Sequence, residues 1–213
     1  MDIARFIDHS LLKPDHSLKD LEEQIEKCIE LGVYGICLNP FWIRKARELA
    51  GNKLTLCSVV SFPFGLDKKE QKILQCIKAM EEGAQELDIV MNVSAFKSGM
   101  ISYVKEELKA IARETEGVTR KVIIETASLS IEEKRSALQL LKDVGVEFVK
   151  TSTGYGPGGA TEEDVKLLVE LSGKSLKVKA SGGIRTLRQA IRFLELGAQR
   201  IGTSATFEIL RGR

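Results

Sequence analysis

Seven glycines cut this chain into repeats of one kind. Gly32, Gly51, Gly83, Gly117, Gly145, Gly173 and Gly197 each follow an amphipathic stretch and precede a short apolar or β-branched run. Glycine ends a helix well because it enters the left-handed conformation without a Cβ clash. The runs cover residues 5–8, 34–38, 54–60, 86–91, 121–125, 146–150, 176–179 and 200–202. They read as eight strands with seven helix stops between them. The stretches between runs also carry helix starts. A start needs a side-chain oxygen for orphan backbone N–H groups, often with an acid or amide three residues on. Ser17/Asp20, Asp67/Glu70, Ser130/Glu133, Thr161/Asp164 and Thr186/Gln189 have that spacing, and Asn39-Pro40 offers a cap with proline at the first helical position.

Each strand–helix unit spans roughly 25–35 residues, the size of a βαβ element. Eight units predict a single (β/α)8 TIM barrel of the α/β class, one domain over residues 1–213, at the compact end for that fold. The competing architecture is an open doubly wound sheet. It has fewer strands as a rule and usually a glycine-rich phosphate loop after its first strand. Here Asp8-His9-Ser10-Leu11-Leu12 occupies that place.

Composition excludes several functions. No stretch approaches the roughly 20 apolar residues of a membrane helix, and residues 1–6 lack a secretory apolar core, which predicts a cytoplasmic protein. Net charge is +2 with no concentrated basic run, so neither nucleic acid nor a membrane is an expected partner. Four scattered cysteines and two histidines offer neither a disulfide framework nor a zinc pattern, and no metal or other cofactor is expected.

In a barrel of this kind the active site lies at the C-terminal ends of the strands. Lys150 ends the sixth run and Lys179 the seventh. A buried ammonium is costly, and a second cation beside it raises that cost. Two lysines on adjacent strands therefore disfavour double protonation, and a neutral amine can attack a carbonyl. Asp88, on the fourth run, can pair with the remaining cation and move protons. The bland alternative is a set of strand-end ion pairs without catalysis. Glycine-rich segments follow the sixth and seventh runs, 154–159 and 182–183, and Gly202-Thr203-Ser204 closes the eighth. Loops after strands seven and eight form the usual phosphate site of the fold, so Gly182, Gly183, Arg185 and Ser204 are candidates to hold a phosphate. Tight turns alone would also account for some of these glycines.

The segments Asp8-His9-Ser10-Leu11-Leu12-Lys13-Pro14, Cys37-Leu38-Asn39-Pro40, Phe62-Pro63-Phe64-Gly65, Glu86-Leu87-Asp88, Val149-Lys150-Thr151-Ser152-Thr153-Gly154 and Lys179-Ala180-Ser181-Gly182-Gly183-Ile184-Arg185-Thr186 together resemble the deoxyribose-phosphate aldolases. The resemblance spans nearly the whole chain. It implies a cofactor-free class I aldolase that cleaves 2-deoxy-D-ribose 5-phosphate to D-glyceraldehyde 3-phosphate and acetaldehyde. It further implies Lys150 as Schiff-base nucleophile, Lys179 as the cation that depresses its pKa, and Asp88 with Lys179 and a water as the proton relay. Gly154, Gly182, Gly183 and Ser204, with Arg185, would hold the phosphate, and Asp8, Ser10 and Cys37 would line the sugar end. Members commonly form homodimers or homotetramers.

The chain departs from the pattern at Ser10, where threonine is common, and at Ser61, where glycine is common. It also lacks the terminal tyrosine some members carry. Three other functions fit the residues less fully: a different Schiff-base lyase or transferase, a phosphosugar isomerase with Glu125 as base, or a metabolite-binding barrel without activity.

Overall fold

The computed structural model describes residues 2–212; Met1 and Arg213, the two ends of the expected domain, lie outside them. Eight strands run β1 (Ile7–Leu11), β2 (Gly35–Leu38), β3 (Thr55–Val60), β4 (Glu86–Val90), β5 (Thr119–Ile123), β6 (Phe148–Lys150), β7 (Lys177–Ser181) and β8 (Arg200–Thr203). They close into one parallel barrel in chain order, with β1 paired to β8. The outer layer comprises α1 (Leu18–Glu30), α2 (Ile43–Ala50), α3 (Lys69–Glu81), α4 (Val93–Lys97), α5 (Ile101–Glu114), α6 (Ile131–Val144), α7 (Glu162–Ser172), α8 (Leu187–Glu195) and α9 (Thr206–Arg211). The (β/α)8 expectation holds. Among the described residues no helix is long and apolar enough to cross a membrane.

All seven punctuating glycines have positive φ, between 54° and 105°. Ser17, Ser130 and Thr186 form reciprocal capping boxes with Asp20, Glu133 and Gln189. Thr161 caps α7 by accepting from the Asp164 N–H. The expected cap at Asp67 does not form. Lys68 is the residue before α3, and Asp67 instead accepts a hydrogen bond from Gln75 Nε2. Asn39 precedes a 3-10 turn with Pro40 at its start, but its side chain donates to the Leu12 carbonyl and caps nothing.

The first strand starts later than its apolar run suggests. Residues Ile3–Phe6 form a 3-10 turn, and the segment 8–11, expected to follow the first strand, belongs to it. Ser61 sits at φ 53° just after β3. A residue with a Cβ loses roughly 1–2 kcal/mol in that left-handed region, and glycine does not. This is the physical reason glycine is common there. Ser61 is held by its N–H donating to Gln75 Oε1 at 2.7 Å and by its hydroxyl accepting from the Asp67 N–H at 3.2 Å.

Alternation along the strands separates two interiors. Ile7, Ile36, Leu56, Leu87, Ile89, Val122, Val149, Val178 and Ile201 face the helices and belong to the apolar core. Each such fully buried side chain stabilises the fold by about 1.5–3 kcal/mol. The alternate positions face the barrel axis, and many of these are charged.

Candidate active site

Asp8, Glu86, Asp88, Lys121, Lys150, Lys179 and Arg200 form one buried cluster inside the barrel. Strand register places them at matching heights: Asp88 pairs with Lys121, Lys150 with Lys179, and Lys179 with Arg200. Gly202 makes room for Lys179, since a Cβ there would lie 3.0 Å from Lys179 Cε.

Asp88 is the hub. Its Oδ2 accepts from Lys150 Nζ at 2.7 Å and from Lys179 Nζ at 2.8 Å. Its Oδ1 accepts from Lys121 Nζ at 2.9 Å and from the Cys57 thiol at 3.1 Å. Lys179 also donates to Asp8 Oδ2 at 2.5 Å, and Lys121 pairs with Glu86 Oε2 at 2.6 Å. Arg200 closes the network by donating to Asp8 Oδ1 at 2.8 Å and Glu86 Oε2 at 3.3 Å. Its guanidinium stacks 3.5 Å over the Tyr34 ring.

The electrostatics follow from this geometry. Burial alone would raise Asp88, but Lys121, Lys150 and Lys179 outweigh it and hold the carboxyl well below its ordinary range. Asp8 is treated similarly: burial opposes ionisation, yet Lys179, Lys121 and Arg200 hold it at about 2. Burial would strip the proton from Lys179, but Asp8 and Asp88 outweigh it and raise its pKa. Lys121 is raised for the same reason, with Asp88 as its main carboxylate neighbour. Lys179 is thus a fixed cation beside Lys150. The count is four cations (Lys121, Lys150, Lys179, Arg200) against three carboxylates (Asp8, Glu86, Asp88).

Lys150 is the member of this cluster that opens to a cavity of about 510 Å³. Ser10, Gly154, Gly182, Gly183, Arg185 and Ser204 line the same cavity. Gly182 and Gly183 have φ of 87° and 75°, a consecutive positive-φ pair that only glycines adopt without strain. The loop after β6 packs directly on this pair, and a Cβ at Gly159 would lie 2.3 Å from the Gly182 carbonyl oxygen. The structure therefore joins Lys150 to the expected phosphate corner in one space. Lys179 and Asp88 lie beneath it. So do Asp8 and Cys37, expected at the sugar end. Asp8 is tied to Lys179 and Arg200, and the buried Cys37 thiol points toward Asp88 at 3.7 Å.

Lys121, Glu86, Arg200 and Cys57 were not expected in the site. Glu86 and Arg200 open their strands and Lys121 and Cys57 lie in mid-strand, so a reading of strand ends alone passes over them. The period-two relation of Glu86 to Asp88 is the signal that both face the axis. Glu125 belongs elsewhere. It is buried at φ 53°, and its Oε2 accepts from the Thr153 N–H and hydroxyl. Cys37, Cys57 and Asp88 bring three ligand-type atoms within 4.8 Å of one another. That spot does not suit a cation, because the Asp88 oxygens already take three ammonium groups and burial keeps the Cys57 thiol protonated.

Comparison with known proteins agrees with this geometry. The chain is 46% identical over 98% of its length to the deoxyribose-phosphate aldolase of Aquifex aeolicus, covering 95% of that protein. It is 44% identical to that of Dictyoglomus turgidum, covering 99% of this chain and 97% of the relative. Among solved structures it resembles "QR15, an Aldolase" with TM-score 0.97 at 45% identity, covering 100% of this chain and 96% of that one. It also resembles the tetrameric deoxyribose phosphate aldolase of Aeropyrum pernix, with TM-score 0.92 at 30% identity over 99% of this chain and 90% of that one. Residues 3–211 match the DeoC/LacD family aldolase profile, and the chain belongs to that family.

Proposed function

We propose that this protein is a class I deoxyribose-phosphate aldolase, a lyase that reversibly cleaves 2-deoxy-D-ribose 5-phosphate to D-glyceraldehyde 3-phosphate and acetaldehyde. The observation that carries the reading is one lysine of a buried, cation-rich cluster opening into a cavity with a glycine-built anion corner.

Lys150 Nζ adds to the sugar's carbonyl carbon and water leaves, giving a protonated imine. That imine draws in the electron pair of the bond between the second and third carbons. The third hydroxyl gives up its proton as the new aldehyde forms. The resulting enamine takes a proton at the second carbon, and water then releases acetaldehyde and restores the amine. Lys150 and Lys179 both donate to the same Asp88 carboxylate oxygen, which puts a proton relay among the three groups within hydrogen-bond distance. Backbone N–H groups of Gly154, Gly182 and Gly183, with Ser204 and Arg185, hold the phosphate and set the sugar's direction. Ser10 lies at the sugar end. Asp8 and Cys37 act from beneath it, Asp8 through Lys179.

An isomerase is disfavoured because Glu125, its candidate base, is engaged by Thr153 and does not line the Lys150 cavity. The reading extends to one catalytic domain over residues 1–213, working in the cytoplasm without a metal or organic cofactor as a homodimer or homotetramer. Acetaldehyde release from 2-deoxy-D-ribose 5-phosphate, followed through a coupled dehydrogenase, tests the reaction. Activity is expected from the wild type and its loss from Lys150→Ala; full turnover by Lys150→Ala would refute the assignment.

A further inference from the structure

The mouth of the barrel is divided. The Lys150 cavity lies over the ends of β6, β7, β8 and β1, and a second cavity of about 220 Å³ lies over the ends of β3 to β6. The second has mainly apolar walls from Pro63, Phe64, Val90, Val93 and Pro157, with Glu125 and Ser128 as polar groups on one side. Thr153 and Tyr155 line both cavities and form the partition. Val90 stands two residues beyond Asp88 on β4, which is about 6.6 Å along a strand. Asp88 in turn lies 2.7 Å from Lys150 Nζ. The second cavity thus begins one pleat above the group that holds the reacting amine.

The partition has a buried base and a half-exposed tip. Its base is clamped by Glu125, which accepts from Thr153 at 3.2 Å and 2.5 Å. Gly156 lies so close to the same carboxylate that a Cβ there would stand 2.6 Å from Glu125 Cδ. The tip is Tyr155, half exposed between two glycines. Its phenol donates to the Leu12 carbonyl at 3.2 Å, and its ring meets Phe62 edge-on with centroids 5.5 Å apart.

We propose that Tyr155 sets the size limit on the donor carbonyl compound, by closing off an apolar subsite that would take a second substituent on the carbonyl carbon. The inference rests on the aldolase reading. An aldehyde donor carries only hydrogen at that position, whereas a methyl ketone carries an alkyl group. The chemistry is otherwise the same. The Lys150 amine and the ketone form an imine and water, and loss of a proton from the methyl group gives the enamine. Its carbon bonds to the acceptor aldehyde, whose oxygen takes a proton, and water releases a β-hydroxyketone. With the acceptor's phosphate in the large cavity, the alkyl group has the apolar cavity as its place, and the Tyr155 ring stands in the way.

The test measures kcat/KM for 2-pentanone relative to acetaldehyde, with D-glyceraldehyde 3-phosphate as acceptor. Tyr155→Ala should raise this ratio about 10-fold or more, the discrimination a methylene or two gives in a hydrophobic pocket. Tyr155→Phe keeps the ring and should stay near the wild-type ratio. Val93→Phe placed in the Tyr155→Ala background refills the apolar cavity and should reverse the gain. An unchanged ratio in Tyr155→Ala overturns the inference, as does a gain that survives Val93→Phe. Tyr155→Ser serves the same comparison should the alanine variant not fold. A wild type that forms no borohydride-trapped adduct with acetaldehyde overturns the aldolase reading and this inference with it. A wild type that forms the adduct, with an unmoved ratio, overturns this inference alone.

Discussion

Lys121 offers the sharpest test of how the buried cluster holds together. It is fully buried, 2.6 Å from Glu86 Oε2 and 2.9 Å from Asp88 Oδ1. Lys121→Met keeps much of the volume and removes the charge. Removing one partner of a buried ion pair costs about 3–5 kcal/mol, because the other charge stays behind uncompensated. Here the loss should fall near the lower end, about 3 kcal/mol. Glu86 keeps Arg200, Asp88 keeps Lys150 and Lys179, and three cations then face three carboxylates. For a chain this long, 1 kcal/mol moves Tm by about 2–4 °C, so the variant should melt roughly 6–12 °C below wild type by calorimetry. The sign with pH is also fixed. The Lys121 pKa is raised in the fold, so its contribution is fully present below the unfolded value of about 10.4 and is lost only as pH rises through the higher folded value. The deficit should therefore be constant from about pH 6 to 9. A melting temperature within 2 °C of wild type would refute the reasoning.

Three further outcomes follow from the same geometry. His9 is buried, with Nδ1 on Thr206 Oγ1 at 2.9 Å, and burial pushes its pKa down to about 4 from 6.5. Its contribution is present above about pH 6.5 and falls away toward pH 4, by about 3 kcal/mol, so urea midpoints should drop across that window. His9→Gln should flatten that drop, and parallel profiles for the two proteins would contradict the assignment. Asp88→Asn should lower kcat/KM for acetaldehyde release by about 10²–10⁴-fold, the usual worth of a proton relay, and a variant above a tenth of wild-type rate would argue against the relay. Gly156→Ala drives a Cβ into the Glu125 carboxylate and should destabilise by about 1–3 kcal/mol in urea titration. Adding Glu125→Ala should recover part of that loss, and strict additivity would show that the contact is not the cause.

Most of the frame was legible because its signals are local. Glycines that need positive φ and serine or threonine caps act within a few residues, so Gly145 and Ser130 mark their helix ends without reference to the rest of the fold. Asp67 misled because Gln75, two turns along, competes for the same carboxylate. Lys150 and Lys179 were legible as lysines ending apolar runs, and Asp88 as a carboxylate inside another. Lys121 and Arg200 were not, because a cation heading an apolar run reads as a solvated end, and only closure of the barrel buries it among carboxylates. The clasp of Glu125 on Thr153 and Gly156 joins loops 28 and 31 residues apart and has no periodic signature. The same holds for the partition at Tyr155.

The central claim is that Lys150 is the amine that bonds the substrate. Incubating the protein with acetaldehyde, reducing with borohydride and mapping the peptides by mass measures this directly. One ethyl group, placed on Lys150, is the expected result, and it should vanish in Lys150→Ala. A label on Lys179 or Lys121, or none on a protein that turns over, would contradict it.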